Sequence, residues 1–283
     1  VHPILFKLTL PWLGVVPIKS FGVMVMLGVI FGSLWLGRAL RRVGVTDKDA
    51  ASDLVTWAVV TGLLGARLTY IAIHPDVVQS PLDVIALWKG GIVSYGGFFG
   101  GAVGMIWWAK KKKLPIARVA DCIGPALFLG QAFGRVGCFL VGDDYGKPWN
   151  GPWAVAFPRI EGSLIPDNLI GVPLHPSQLY LCLMNVLIFS SMAWLFARRR
   201  WEGQVAVVTM FLYSVGRFLI EYTRGDDEAR GIYGFFSTAQ WWSLATAVLA
   251  LVFYVRMRGK RPLPAAHPTA LPPSAAPPTA APR

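Results

Sequence analysis

The sequence predicts an all-α, polytopic membrane protein with seven transmembrane helices, its N-terminus outside and its C-terminus inside. Three observations carry this. Of 283 residues, 54% are hydrophobic and only 15% charged, too apolar for an ordinary soluble domain. Apolar stretches recur at about 17–37, 52–74, 92–109, 121–141, 176–197, 204–223 and 238–257, each near the ~20 residues that cross a bilayer. Basic residues alternate between the connections. Arg38, Arg41, Arg42, Lys48, Lys110 to Lys113, Arg118, Arg198 to Arg200, Arg256, Arg258, Lys260 and Arg261 follow the odd-numbered stretches, whereas only Lys7, Lys19, Lys89, Lys147, Arg159, Arg224 and Arg230 lie on the other side. The positive-inside rule puts the richer set in the cytoplasm.

Residues 1–16 hold Pro3, Pro11 and a single cation, Lys7, with no basic segment leading to a small-residue cleavage site, and read as an extracytoplasmic or interfacial arm rather than a cleavable signal. Residues 17–257 form the membrane domain. Its second stretch contains Gly65-Ala66-Arg67-Leu68, and the third opens on Ser94-Tyr95-Gly96-Gly97. The fourth carries Gly130, Gly134, Arg135 and Gly137. Residues 142–175 make the longest extracytoplasmic segment, rich in Trp and Pro, where a lid or substrate-recruiting element would sit. His175-Pro176-Ser177-Gln178 opens the fifth stretch, Pro176 suiting a first helical turn. The sixth ends in Gly216-Arg217-Phe218 and Glu221. Residues 258–283 are almost all Pro, Ala, Thr and Ser and predict a disordered cytoplasmic tail.

Arg67, Arg135 and Arg217 stand inside apolar stretches, where an arginine costs roughly 2.5–3.5 kcal/mol even on a lenient insertion scale. Each needs a polar cavity or an anionic partner. For Arg67, an internal salt bridge and a ligand contact are both open. Glu221 lies four residues after Arg217, on the same helix face. For Arg135 and Arg217 together the chemistry points to a phosphate clamp: the guanidinium fork matches phosphate oxygens bidentately and never deprotonates, so two of them can hold a phospholipid head group and stabilise a departing phosphate. Gly134 and Gly137 beside Arg135, like Gly96 and Gly97 beside Tyr95, permit close approach of backbone or ligand. The Tyr95 hydroxyl suits a phosphate donor or, with a lowered pKa, a base; an interfacial anchor is the alternative.

Cys122, Cys138 and Cys182 show neither zinc nor disulfide spacing. No basic stripe with interleaved aromatics suggests nucleic acid, and metalloprotease, serine-hydrolase and P-loop spacings are absent, so no metal or cofactor is expected. No internal repeat supports a two-halved transporter.

In these motifs the sequence resembles the prolipoprotein diacylglyceryl transferase family. The resemblance rests on Gly134-Arg135-x-Gly137 with Phe139, Gly142 and Tyr145-Gly146, on His175-Pro176-Ser177-Gln178-Leu179-Tyr180, and on Gly216-Arg217-Phe218 with Glu221 and Arg224. Gly65-Ala66-Arg67-Leu68 and Ser94-Tyr95-Gly96-Gly97 add to it, in order, from about His2 to Tyr254. It implies a seven-span enzyme of the bacterial inner membrane, with its active site toward the outer leaflet and periplasm. Such an enzyme moves the diacylglyceryl group of phosphatidylglycerol onto a lipobox cysteine of a prolipoprotein and releases glycerol phosphate. It further implies that Arg135 and Arg217 are catalytic and bind phosphatidylglycerol, supported by Glu221, with Arg67, Gly96, Gly97, Gly134, Gly137, His175, Ser177 and Gln178 around the lipid. The family's histidine before Gly96-Gly97 is Tyr95 here, its asparagines are Cys138 and Val141, its signature glutamate is Asp143, a further glutamate is Leu181, and its first-span tyrosine is Phe21. Tyr95 and Asp143 are therefore the candidates for the group that activates the thiol. A related phospholipid-dependent transferase with another acceptor, and a non-catalytic protein that binds or transports anionic lipid, are the competing readings.

Overall fold

The computed structural model describes residues 1–12, 14–78, 80–86, 90–91, 93–226 and 230–258, without the side chains of Leu10 and Ser94. Lys89 and the expected tail beyond Arg258 lie outside the described residues. The expected N-terminal arm is a β-hairpin, β1 (Ile4–Leu10) antiparallel to β2 (Gly14–Lys19), with Ile4 opposite Lys19 and Leu10 opposite Gly14. Residues 17–19, expected to open the first helix, finish β2 instead. Pro17 suits an edge strand, and the Ser20 N–H and hydroxyl both donate to the Pro3 carbonyl, at 3.0 and 3.3 Å, which fixes where the helix begins.

The described residues hold seven α-helices: α1 (Ser20–Arg42), α2 (Ala50–Ile73), α3 (Ser94–Lys111), α4 (Ile116–Val141), α5 (Ser177–Arg198), α6 (Gln204–Ile220) and α7 (Thr238–Met257). All but α3 are long and apolar enough to cross a bilayer, which makes this a polytopic membrane protein. The 18 residues of α3 include five glycines and end in Lys110-Lys111. Three two-stranded ribbons and four short 3-10 helices, among them Glu221–Thr223, complete the regular structure among these residues, so the all-α expectation holds for the bundle but not for its connections. Apolar side chains such as Leu183, Leu187, Trp194, Leu219 and Val248 stand exposed on the helices, as a surface that meets hydrocarbon requires.

Small residues set the closest helix contacts. A Cβ on Gly65 of α2 would strike the Gly96 carbonyl of α3 and come within 3.0 Å of Gly100 Cα, so these backbones touch directly. Helix α4 starts at Ile116, just after Pro115 and five residues before its expected start; within it the fully buried Asp121 serves another helix, its carboxylate accepting from the Gly203 and Ala206 N–H groups at 2.8 and 3.0 Å and capping α6. Leu36, Leu40, Leu54, Trp108, Phe128 and Phe196 belong to the main core.

The basic connections gather at one end. Lys112 meets Asp47 at 2.7 Å, Arg118 meets Glu202 at 2.5 Å, and Trp201 packs edge-on against Tyr254 of α7, 5.9 Å between centroids. The hairpin and the long segment after α4 meet at the other end. There the His2 N–H donates to the Leu140 carbonyl (3.1 Å), Lys7 pairs with Glu161 (3.0 Å), and Phe157, Ile165 and Leu174 form a separate small core.

Candidate active site

Helix α4 stops at Gly142, whose φ of +78° is the left-handed conformation that ends helices, and Asp144 follows with φ +53°. This turn folds Asp144 back under α4. Its Oδ2 accepts from Arg135 Nη1, its Oδ1 from Arg224 Nη2 at 2.5 Å, and Cys138 Sγ lies 3.8 Å from Oδ2. The last turn of α6 supplies Arg217, the 3-10 turn Glu221–Thr223 that follows supplies Glu221, and Arg224 is the extended residue just after it. Glu221 is fully buried: Oε2 accepts from Arg217 Nη1, and Oε1 accepts from Arg230 Nε at 3.0 Å and from the Ser237 hydroxyl at 2.8 Å. Arg224 also binds Asp226, Nε to Oδ1 at 2.9 Å. With Arg224 Nε also 4.0 Å from Glu221 Oε2, four guanidiniums and three carboxylates make one continuous network.

Arg135 and Arg217 each commit only Nη1 to it. Among the described residues their Nε and Nη2 donors have no partner, and none of these atoms is sealed from the surface. Two partly free forks, held still by carboxylates behind them, are what phosphate recognition needs.

Backbone crossings hold the elements in register. The Lys147 N–H donates to the Thr223 carbonyl (2.8 Å), Gly225 N–H to Tyr145 (3.0 Å) and His175 N–H to Lys147 (2.9 Å). Gly146 lies at the crossing, where a Cβ would strike the His175 carbonyl and approach Ser177 Oγ to 2.7 Å. The adjacent carboxyls Asp143 and Asp144 are driven apart. Partial desolvation by the surrounding protein, although the side chain still reaches solvent, and the charge of Asp144 raise Asp143 above the ordinary carboxylate value, whereas at Asp144 burial is outweighed by Arg224 and Arg135, which hold it below. Asp143 is exposed and accepts the Asp144 N–H at 2.9 Å.

Tyr95, at the start of α3, stacks on Trp242 with centroids 5.8 Å apart. It lies within electrostatic range of Arg217, Glu221 and Arg224, and its hydroxyl has no hydrogen-bond partner among the described residues. Gly134 borders open space.

The other expected lipid contacts also make contacts within the protein. Arg67 is buried and donates to the carbonyls of Asp83 (2.6 Å), Gly90 (2.7 Å) and Gly91 (3.1 Å), so it anchors the segment before α3, while its buried Nε has no partner among the described residues. Gly96 and Gly97 pack on α2, and Gly137 on Phe21 and Met24 of α1. Ser177 and Gln178, fully buried, bind Thr223 and the Asp143 carbonyl, joining α5 to both neighbouring chain ends. His175 stacks on Trp149 (4.3 Å), with Nδ1 3.2 Å from the Tyr180 hydroxyl, and burial lowers its pKa. Glu221, fully buried, faces Arg217, Arg230 and Ser237 rather than the surface. Asp144, Arg230, Asp226 and Ser237 are the members that sequence reasoning did not find; Arg224 entered it only as part of the motif that follows Gly216-Arg217-Phe218.

A family model described as prolipoprotein diacylglyceryl transferase matches residues 7–256. Among curated relatives, a phosphatidylglycerol–prolipoprotein diacylglyceryl transferase of Thermosynechococcus vestitus is 36% identical over 76% of this chain and 80% of its own. Proteins of the same name are 35% identical in Bordetella avium (86% and 91% covered) and 32% identical in a Nostoc species (95% and 97%). With nearly the whole membrane domain matched, the chain belongs to the prolipoprotein diacylglyceryl transferase family.

Proposed function

We propose that this protein transfers the diacylglyceryl group of phosphatidylglycerol to the lipobox cysteine of a prolipoprotein. The observation that carries the reading is the pair of forks on Arg135 and Arg217, each fixed by a carboxylate and each with donors to spare. The thiolate sulfur attacks the glycerol carbon that bears the phosphate oxygen. A C–S bond forms as the C–O bond breaks, the electron pair leaves on glycerol phosphate, and the two guanidiniums stabilise the charge that develops there. Asp143 takes the thiol proton: it is exposed beside the clamp, and its raised pKa makes it a better base than an ordinary carboxylate. The Tyr95 hydroxyl donates to the lipid phosphate.

The enzyme sits in the bacterial inner membrane with seven spans, its N-terminus and arginine cluster outside and its C-terminus inside. In support, α3 runs between the same two ends of the bundle as the other helices, since Tyr95 meets Trp242 at its start while Lys112, just past its end, meets Asp47. The basic connections belong in the cytoplasm. Residues 142–175 then face the periplasm over the cluster, as a segment that recruits precursors would, and residues 258–283 form a cytoplasmic tail.

The test is transfer from phosphatidylglycerol, labelled in the diacylglyceryl moiety, to a lipobox peptide by purified protein, with a Cys-to-Ser peptide as control. Cysteine-dependent labelling that disappears in Arg135→Ala and Arg217→Ala, with membrane insertion unchanged, is expected. Near-normal turnover in both variants would remove the clamp.

A further inference from the structure

At the basic end, opposite the arginine cluster, the first turns of α4 and α6 and the last turns of α3 and α7 surround an open cleft of about 780 Å³. Its walls are apolar, with Ala120, Ala206, Met210, Phe253 and Met257 prominent, and Phe253 is itself 40% exposed, so the cleft opens sideways. Glu202 lines the cleft, but its carboxylate already accepts from Arg118 Nε and Nη2 at 2.7 and 2.5 Å. Lys110 also lines it, exposed and with no partner among the described residues. Its neighbours differ: Lys112 is paired with Asp47, and Lys111 lies over the Trp107 ring. The free charge at this cleft is therefore positive.

We propose that the cleft binds an anionic phospholipid from the leaflet at the basic end, with acyl chain against Met210, Phe253 and Met257 and phosphate on Lys110. Size and composition fit, because lipid pockets between membrane helices combine an apolar body with a basic mouth. It is a second site, separate from the clamp. Ala120 lies fifteen residues before Arg135 on the same helix, about 22 Å along its axis, too far for one head group to serve both. The site does not depend on the activity proposed above.

Native mass spectrometry of the full chain, released from phosphatidylcholine nanodiscs containing a minority of phosphatidylglycerol, tests this. Wild type should retain one phosphatidylglycerol that survives Arg135→Ala and is lost in Ala206→Trp, which fills the cleft. Lys110→Ala should weaken that retention on the order of 5-fold. A photoreactive phosphatidylglycerol carrying its label on the acyl chain should mark Met210, Phe253 or Met257 in wild type, competed by phosphatidylglycerol but not by phosphatidylcholine. This second measurement decides the matter if Ala206→Trp fails to fold. Unchanged retention in a folded Ala206→Trp, equal competition by phosphatidylcholine, or no label at these residues would each overturn the proposal.

Discussion

Asp144→Asn removes one charge while keeping the shape of the side chain that joins two helices. Its consequences are unequal. Arg224 keeps Asp226, at 2.9 Å from Nε, whereas Arg135 loses its one ion pair among the described residues. Stranding a fully buried charge costs about 3–5 kcal/mol. The Arg135 side chain is 20% exposed and that of Asp144 22%, so solvent recovers part of this and about 2 kcal/mol is expected. In a chain of this size that lowers the thermal midpoint by roughly 4–8 °C. Asp144 titrates below its ordinary value, so its stabilisation is fully present above the unfolded carboxylate value and lost as pH falls through the lowered one; variant and wild type should converge only in strong acid.

The catalytic effect of the same variant has a distinct signature. In wild type the negative charge of Asp144 opposes an incoming phosphate, even though Arg135 Nε and Nη2 are free to bind it, and the carboxylate fixes where the guanidinium points. Released, Arg135 should bind the ground-state lipid more tightly and the transition state less well. KM for phosphatidylglycerol falls while kcat drops on the order of 10–100-fold, about 1.4–2.8 kcal/mol. The assay is steady-state transfer to a lipobox peptide over a phosphatidylglycerol series, beside thermal unfolding with and without lipid. Unchanged kcat and midpoint together would refute the reasoning, and so would a raised KM, which would make Asp144 part of the lipid site rather than its competitor.

Asp143→Asn should abolish the acid limb of the rate profile. If Asp143 is the base, wild-type rate falls as pH falls through a value above the ordinary 3.8, because the deprotonated form does the work; a retained limb in the variant assigns the proton elsewhere. Tyr95→Phe deletes one neutral donor to the phosphate and should slow transfer about 10-fold, roughly 1.4 kcal/mol, an unchanged rate excluding the hydroxyl from the reaction. Gly146→Ala forces a methyl against the His175 carbonyl and should destabilise by about 1–3 kcal/mol; a wild-type midpoint in that variant would contradict the close crossing.

The sequence alone determined the membrane class, because hydrocarbon admits a helix only as a long apolar segment; all seven expected spans recur as helices within a few residues, and six of them are long and apolar enough to cross. It also singled out Arg135 and Arg217, since a charge in an apolar run is conspicuous whatever surrounds it. Where local chemistry was ambiguous, only the tertiary structure decided. Arg67 carries the same local signal as Arg135, yet both of its Nη groups are spent on three backbone carbonyls. Pro17 and Ile18 are as apolar as a helix start, but pairing with β1 keeps them in a strand. Asp144 looked like one more loop carboxylate. Its partner Arg224 lies 80 residues away, and their meeting depends on the left-handed turn at Gly142 and on the tight crossing at Gly146. Local sequence records propensity and polarity, whereas an ion pair between distant segments depends on where the backbones cross, which packing of the whole bundle sets.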